Sequence, residues 1–248
     1  MMMTRRVLLI GVLASVGAFG ADPLPSAESL LDRYIQVTGG RDAYESRKSQ
    51  IMWGTIVYPA QGIQGPFVRY EANGMIYTFV EMAGVSVESG VKGGVGWERS
   101  NATGPRIMGS GERAQALRER FDSLYRWRES YTKVETTGEE TVNGQPCYRV
   151  VLTPVAGYPE TVFLSKKDGW PVKVSAIYQT QMGALPGEVV VSNYKNFGGM
   201  MVPAKTSNKI GNAAFTMTID SVEVNTAIDP NRFNLPADVL ALANRRSK

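Results

Sequence analysis

From residue 49 onward the chain is a succession of short runs rich in β-branched and aromatic residues, punctuated by Gly, Asn, Asp and Pro. The runs are Ile51 to Tyr58, Pro66 to Glu71, Met75 to Met82, Val85 to Ser89, Val95 to Arg99, Cys147 to Thr153, Glu160 to Ser165, Pro171 to Gln179, Glu188 to Tyr194, Pro203 to Lys209 and Ala214 to Val224. Asn143-Gly144, Lys167-Asp168-Gly169, Gly198-Gly199 and Gly211-Asn212 carry the turn chemistry between them. Helical segments do not alternate with these runs, so a parallel βαβ sheet is excluded. An antiparallel meander of ten or eleven strands is expected, with sequence neighbours paired as hairpins.

Two segments break the two-residue period. Ser26 is a good N-cap for a helix over Ala27 to Val37, in which Leu30, Leu31, Tyr34 and Ile35 share a face and Gly39-Gly40 stops the run. A second helical turn is expected around Asp42 to Glu45. Gly109 to Trp127 has helical spacing: Ala114, Leu117, Phe121, Leu124 and Tyr125 form an apolar side, and Glu112, Arg113, Arg118, Arg120, Asp122 and Arg126 populate the rest. Such an amphipathic insertion either packs on the sheet or caps the mouth of a partly closed barrel, and both readings fit its pattern. Asn225 to Pro236 reads as a loop whose Phe233 and Leu235 tuck against the sheet, and Asn244 to Lys248 as a solvated tail.

The start of the chain reads as an export signal. Met1 to Arg6 is short and basic, Val7 to Gly20 is apolar, and Ala18-Phe19-Gly20 places small residues before Ala21. Residues 1–20 are therefore expected to be a signal peptide and 21–248 a single domain located in the periplasm. Thr4-Arg5-Arg6 leaves the choice between general secretion and twin-arginine export open. Without Arg5 and Arg6 the chain keeps 25 basic against 23 acidic residues, a balance that does not suit a nucleic-acid partner. No Cys follows the cleavage site, so the N-terminus is expected to carry no lipid. Cys147 stands alone in a strand-like run, where a buried small hydrophobe is expected and an internal disulfide is impossible.

The sequence contains no His. Ser-His-Asp and Cys-His nucleophile systems, His-ligated metals and imidazole proton shuttles are thereby excluded. Gly90, Gly93, Gly94 and Gly96 precede the strand-like Trp97-Glu98-Arg99 and not a helix, so a hairpin turn is expected there in place of a phosphate cradle. Gly109-Ser110-Gly111 lacks the context of a nucleophile elbow, and Ser110 is expected to cap or open the helix that follows. Glu139 and Glu140 are strand neighbours on opposite faces, while Asp220 and Glu223 are expected at solvated positions. No catalytic residue, metal ligand or cofactor is assigned. Trp53, Tyr77, Phe79 and Trp97, with Met residues along the chain, offer instead the apolar wall of a ligand groove, with Leu117, Phe121 and Leu124 covering it.

Glu88-Ser89-Gly90 leads through the Gly turn to Trp97, and Asn231-Arg232-Phe233-Asn234-Leu235-Pro236 stands near the C-terminus. With the order of helix, meander, amphipathic insertion and longer meander, these motifs resemble the LolA/LolB superfamily of outer-membrane lipoprotein-sorting proteins over most of residues 21–248. The resemblance implies a mainly β (α+β) fold. In it an incomplete antiparallel barrel holds an apolar concave face under an N-terminal helix and the inserted helix. It further implies a soluble periplasmic carrier of an acylated or lipid-like ligand, such as a lipoprotein, working without chemistry, in transient contact with envelope proteins and as a monomer. The alternatives are a His-free enzyme acting on a small substrate in the same cavity, and an envelope regulatory module acting through its surface. Intact-mass analysis of the exported protein is expected to show a chain starting at or next to Ala21 without a lipid; a full-length cytoplasmic product would contradict the export reading.

Overall fold

The computed structural model describes residues 23–246, so the signal-peptide reading lies outside the described residues. Two helices open the chain, α1 (Ala27–Val37) and α2 (Gly40–Ser46). Six strands follow: β1 (Ser49–Tyr58), β2 (Ile63–Ala72), β3 (Met75–Met82), β4 (Val85–Lys92), β5 (Val95–Ser100) and β6 (Gly104–Ile107). An insert with α3 (Ser110–Arg118) and α4 (Trp127–Ser130) leads to β7 (Tyr131–Val142), β8 (Gln145–Pro154), β9 (Glu160–Ser165) and β10 (Pro171–Thr180). Then come β11 (Gly183–Phe197), β12 (Met200–Ile210), β13 (Ala213–Val224) and α5 (Ala237–Arg246). A 3-10 turn at Pro230–Phe233 separates the last two.

All thirteen strands belong to one antiparallel sheet in the order β6-β5-β4-β3-β2-β1-β13-β12-β11-β10-β9-β8-β7. Each pair is a sequence-adjacent hairpin except β1 with β13, which joins the beginning of the meander to its end in the middle of the sheet. The free edges are consequently β6 and β7, consecutive strands joined by the insert. Helix α3 touches β4 and β5 on one side and β10 on the other, strands far apart in the sheet, so the sheet curves around that helix. The result is the expected incomplete barrel, with two strands beyond the upper count. β6 was missed because it is four residues long and includes Gly104 and Pro105, both poor strand formers. β7 falls outside the strand-like runs because its exposed Thr and Glu residues and the bulge at Thr136/Gly138 blur the pattern.

The concave face is filled first by α1. Ser26 caps it by accepting the Ser29 amide at 3.2 Å, and Leu30, Leu31 and Ile35 are buried against Val150, Leu152, Val162 and Leu164 of β8 and β9. Tyr44 of α2 and Trp127 of α4 complete this core, with Phe121 and Leu124 packed on it. The outer face of the other half is covered as well. Phe233 and Val239 are buried against Tyr77 and Trp97, so the expected docking of Phe233 is what the fold shows, and Leu235 packs beside it. Helix α5 was not anticipated, and it runs through most of the stretch expected to be a solvated tail. Among its described side chains Val239 alone is fully buried, too little for a recognisable apolar stripe. Cys147 lies in a third cluster with Val142, Phe163 and Val172, where burial pushes its thiol pKa up.

The insert departs most from expectation. A single helix over Gly109 to Trp127 is replaced by nine helical residues, a run of turns and a short α4. Side-chain acceptors take the backbone and side-chain donors that a continuous helix would present differently. Glu71, 2% exposed, accepts the Phe121 amide at 3.1 Å, and Asp122 is clamped by Arg120 at 2.7 Å and Arg126 at 2.9 Å. At the other end Gly109, and not Ser110, is the N-cap, and the Glu112 carboxylate accepts its amide at 2.8 Å.

Candidate functional site

A cleft of about 450 Å³ lies between α3 and the concave face of β2–β6, within the range of small-molecule sites. Its floor follows from the strand register. Arg69, Thr78, Ser89, Glu98 and Arg106 stand directly opposite one another on β2, β3, β4, β5 and β6, forming one polar row across five strands. The neighbouring row on the same face carries Ile76 and Val91, which are buried and apolar. Met108 and Ala116 close the cleft from the insert, and Gln179 to Met182 at the end of β10 form its far wall, with Met182 83% exposed.

What holds α3 over this floor is polar. Arg106 pairs with Glu98 at 3.1 Å and with Glu112 of α3 at 2.9 Å. Arg113 donates to the Gly94 carbonyl, and the Gln115 side chain accepts the Gln179 amide at 2.9 Å. At the end of the helix Arg118 donates to the Ala156 carbonyl at 2.8 Å, and Arg69 reaches the Glu119 carbonyl at 3.4 Å. The first half of the sheet and the β8–β10 side thus both grip the helix. Yet α3 has no buried residue, and its Leu117 is half-buried and joins none of the three apolar clusters.

Two ion pairs at the margins are tuned by burial. Burial works against the Arg69 guanidinium, but Glu71 at 2.5 Å and the nearby Glu119 charge outweigh it and hold the pKa above its ordinary value. Glu160 on β9 accepts a hydrogen bond from the Tyr131 hydroxyl and faces Arg118 at 4.0 Å. Burial raises its pKa above the ordinary 4.5, against the lowering effects of Tyr131 and Arg118.

The residues anticipated as cavity wall are divided between the two faces. Strand alternation puts Trp53, Val68 and Phe79 in one row, and Tyr70, Tyr77, Gly90 and Trp97 in the next, on the face opposite the cleft floor. There Trp97, 1% exposed, lies beside Tyr77 under Phe233 and Val239, and Phe79 packs at the margin. Gly90 makes the packing possible, since a Cβ at that position would stand 3.0 Å from the Trp97 indole nitrogen and 2.7 Å from the Ile76 carbonyl. Phe121 and Leu124 are on the concave side, packed into the core around α1 and not over Trp53, Tyr77, Phe79 or Trp97. The structure therefore does not bring the seven residues together. The cross-strand row from Arg69 to Arg106 was not singled out; its signal is one polar residue at matching positions in five successive strands, legible only once the register is known.

No protein-family model and no curated protein sequence matches the chain. Solved structures do. A domain assigned to outer-membrane lipoprotein sorting from Vibrio parahaemolyticus superposes with a TM-score of 0.56 at 16% identity, covering 84% of this chain and 97% of that one. A LolA superfamily protein from Nitrosomonas europaea gives 0.54 at 12% identity, with 86% and 99% covered. The fold is LolA-like. A DUF1329 family protein from Desulfovibrio piger shares it, with a TM-score of 0.58 at 13% identity over 86% and 98% of the two chains. The LolA-like sheet here thus agrees with the resemblance drawn from the motifs around Gly90 and Phe233. Among the described residues no helix is long and apolar enough to cross a membrane.

The raised Glu160 pKa gives a pH dependence with a defined sign. An acid whose folded-state pKa lies above its unfolded value contributes most below the unfolded value and loses that contribution as pH rises through the folded one. The stability of the parent relative to Glu160→Gln is therefore expected to fall as pH rises from 4.5. Urea unfolding across the acidic to neutral range checks this, and a relative stability that grows with pH would contradict it.

Proposed function

We propose that the protein is an exported, periplasmic, non-catalytic carrier of an acylated or lipid-like ligand, lipoproteins included, and that α3 is the lid of its binding cleft. One observation carries the reading: a helix without a buried residue is latched by polar contacts above apolar sheet residues. Net hydrogen bonds are worth about 1 kcal/mol each, and Arg106 and Glu112 pass into water as they part, so the latch opens without unpacking any of the three apolar clusters. An acyl chain of about 15 methylenes gains roughly 12 kcal/mol gross on burial, and association costs of about 4–15 kcal/mol leave a reversible complex. The LolA-like fold supports a carrier by analogy of fold. No observation favours the alternatives of a His-free enzyme or a regulatory module. The protein is read as a monomer that meets envelope proteins transiently.

A reversible lock tests the lid. A Cβ at Gly96 of β5 would stand 3.1 Å from the Arg113 Cβ of α3, and natural disulfides place these atoms about 3.5–4.5 Å apart, so a small shift accommodates a bridge between Gly96→Cys and Arg113→Cys. The oxidised double variant is expected to bind a fluorescent acylglycerol at least about tenfold more weakly than its reduced form. Equal binding by the two forms would rule out α3 as a lid.

A further inference from the structure

The charges of the cleft discriminate between head groups. Its described lining residues include two cations, Arg69 and Arg106, and three acids, Glu98, Glu112 and Glu119. Both cations are already engaged. Arg106 is divided between Glu98 and Glu112, and Arg69 between Glu71 and the Glu119 carbonyl. The Glu119 carboxylate forms no ion pair among the described residues and accepts one hydrogen bond there, from the Gln115 amide at 3.5 Å. Its charge adds to burial in raising the pKa of Tyr178 on β10. An anionic head group would therefore meet a surplus of negative charge, or would have to take Arg106 from two carboxylates and leave them unpaired in a partly dry site. Thr78 and Ser89, between the two arginines in the polar row, offer hydroxyls to a neutral head group, and Glu119 offers a counter-charge to a cationic one.

Resting on the carrier reading, we propose that the cleft takes amphiphiles with an uncharged or cationic head group and rejects free carboxylates and phosphates, with Glu119 as the main specificity-determining side chain. Acyl esters and amides fit this requirement, whereas free fatty acids do not. Glu119 suits a test because a side-chain replacement keeps the backbone carbonyl that accepts from Arg69 and leaves Glu71 as the ion-pair partner of that arginine.

The test compares laurate, monolaurin and dodecyltrimethylammonium as competitors of a neutral fluorescent dye at pH 8, each below its micelle-forming concentration. Laurate is expected to bind at least about tenfold more weakly than monolaurin, and dodecyltrimethylammonium at least as well as monolaurin. In Glu119→Lys the ratio of laurate to monolaurin affinity should rise severalfold, and in Glu119→Gln it should rise less, with circular dichroism reporting that the sheet is retained. Laurate binding as tight as that of monolaurin would overturn the head-group proposal, as would an unchanged ratio in both folded variants. Displacement by none of the three would instead overturn the carrier reading on which it rests.

Discussion

A thirteen-stranded antiparallel sheet whose first and last strands pair in its middle leaves its two free edges consecutive in the chain. That constraint determines the rest. The segment from Met108 to Ser130 must leave β6 and arrive at β7 while the curved sheet lies between them, so it crosses the open side of the half-barrel. Whatever this connection carries becomes the cover of the concave face, and whatever holds it determines how the cover opens.

The concave face is closed in two different ways. On the β7–β9 side α1 supplies Leu30, Leu31 and Ile35, and Leu31 is fully buried. Removing such a helix would expose a core in which each large apolar side chain is worth about 1.5–3 kcal/mol. On the β2–β6 side α3 lies over Ile76 and Val91, gripped by Arg69, Arg106 and Gln115 with no buried residue of its own. The chain thus has an apolar plug at one end of its trough and a polar latch at the other. Local opening at the latch is the less costly motion.

Much of the fold was legible because turn chemistry and strand composition agree locally. The runs Met75 to Met82 and Glu160 to Ser165 coincide with β3 and β9, and Ala27 to Val37 with α1. The insert was less legible, since Glu71 and Asp122 act on it through tertiary contacts that helical spacing does not reveal. The candidate site was harder for a different reason. Alternation tells which residues share a face but not which face is concave, and here both faces carry aromatic or aliphatic side chains. Tyr77 and Trp97 look like cavity wall, yet they are the outer core under Phe233 and Val239. The floor of the cleft belongs to the intervening residues Arg69, Thr78, Ser89, Glu98 and Arg106, whose polarity disguises them as solvent-facing positions.

The central claim, that α3 opens independently of a core held by α1, is tested most directly by native-state hydrogen exchange. Amides of Arg113 to Arg118 are expected to exchange through a local opening of low free energy, insensitive to small amounts of denaturant. Those of Ile35, Val150 and Leu152 should exchange only through global unfolding. Protection of the α3 amides equal to that of β8, with the same denaturant dependence, would show that the helix is part of the core and contradict the account.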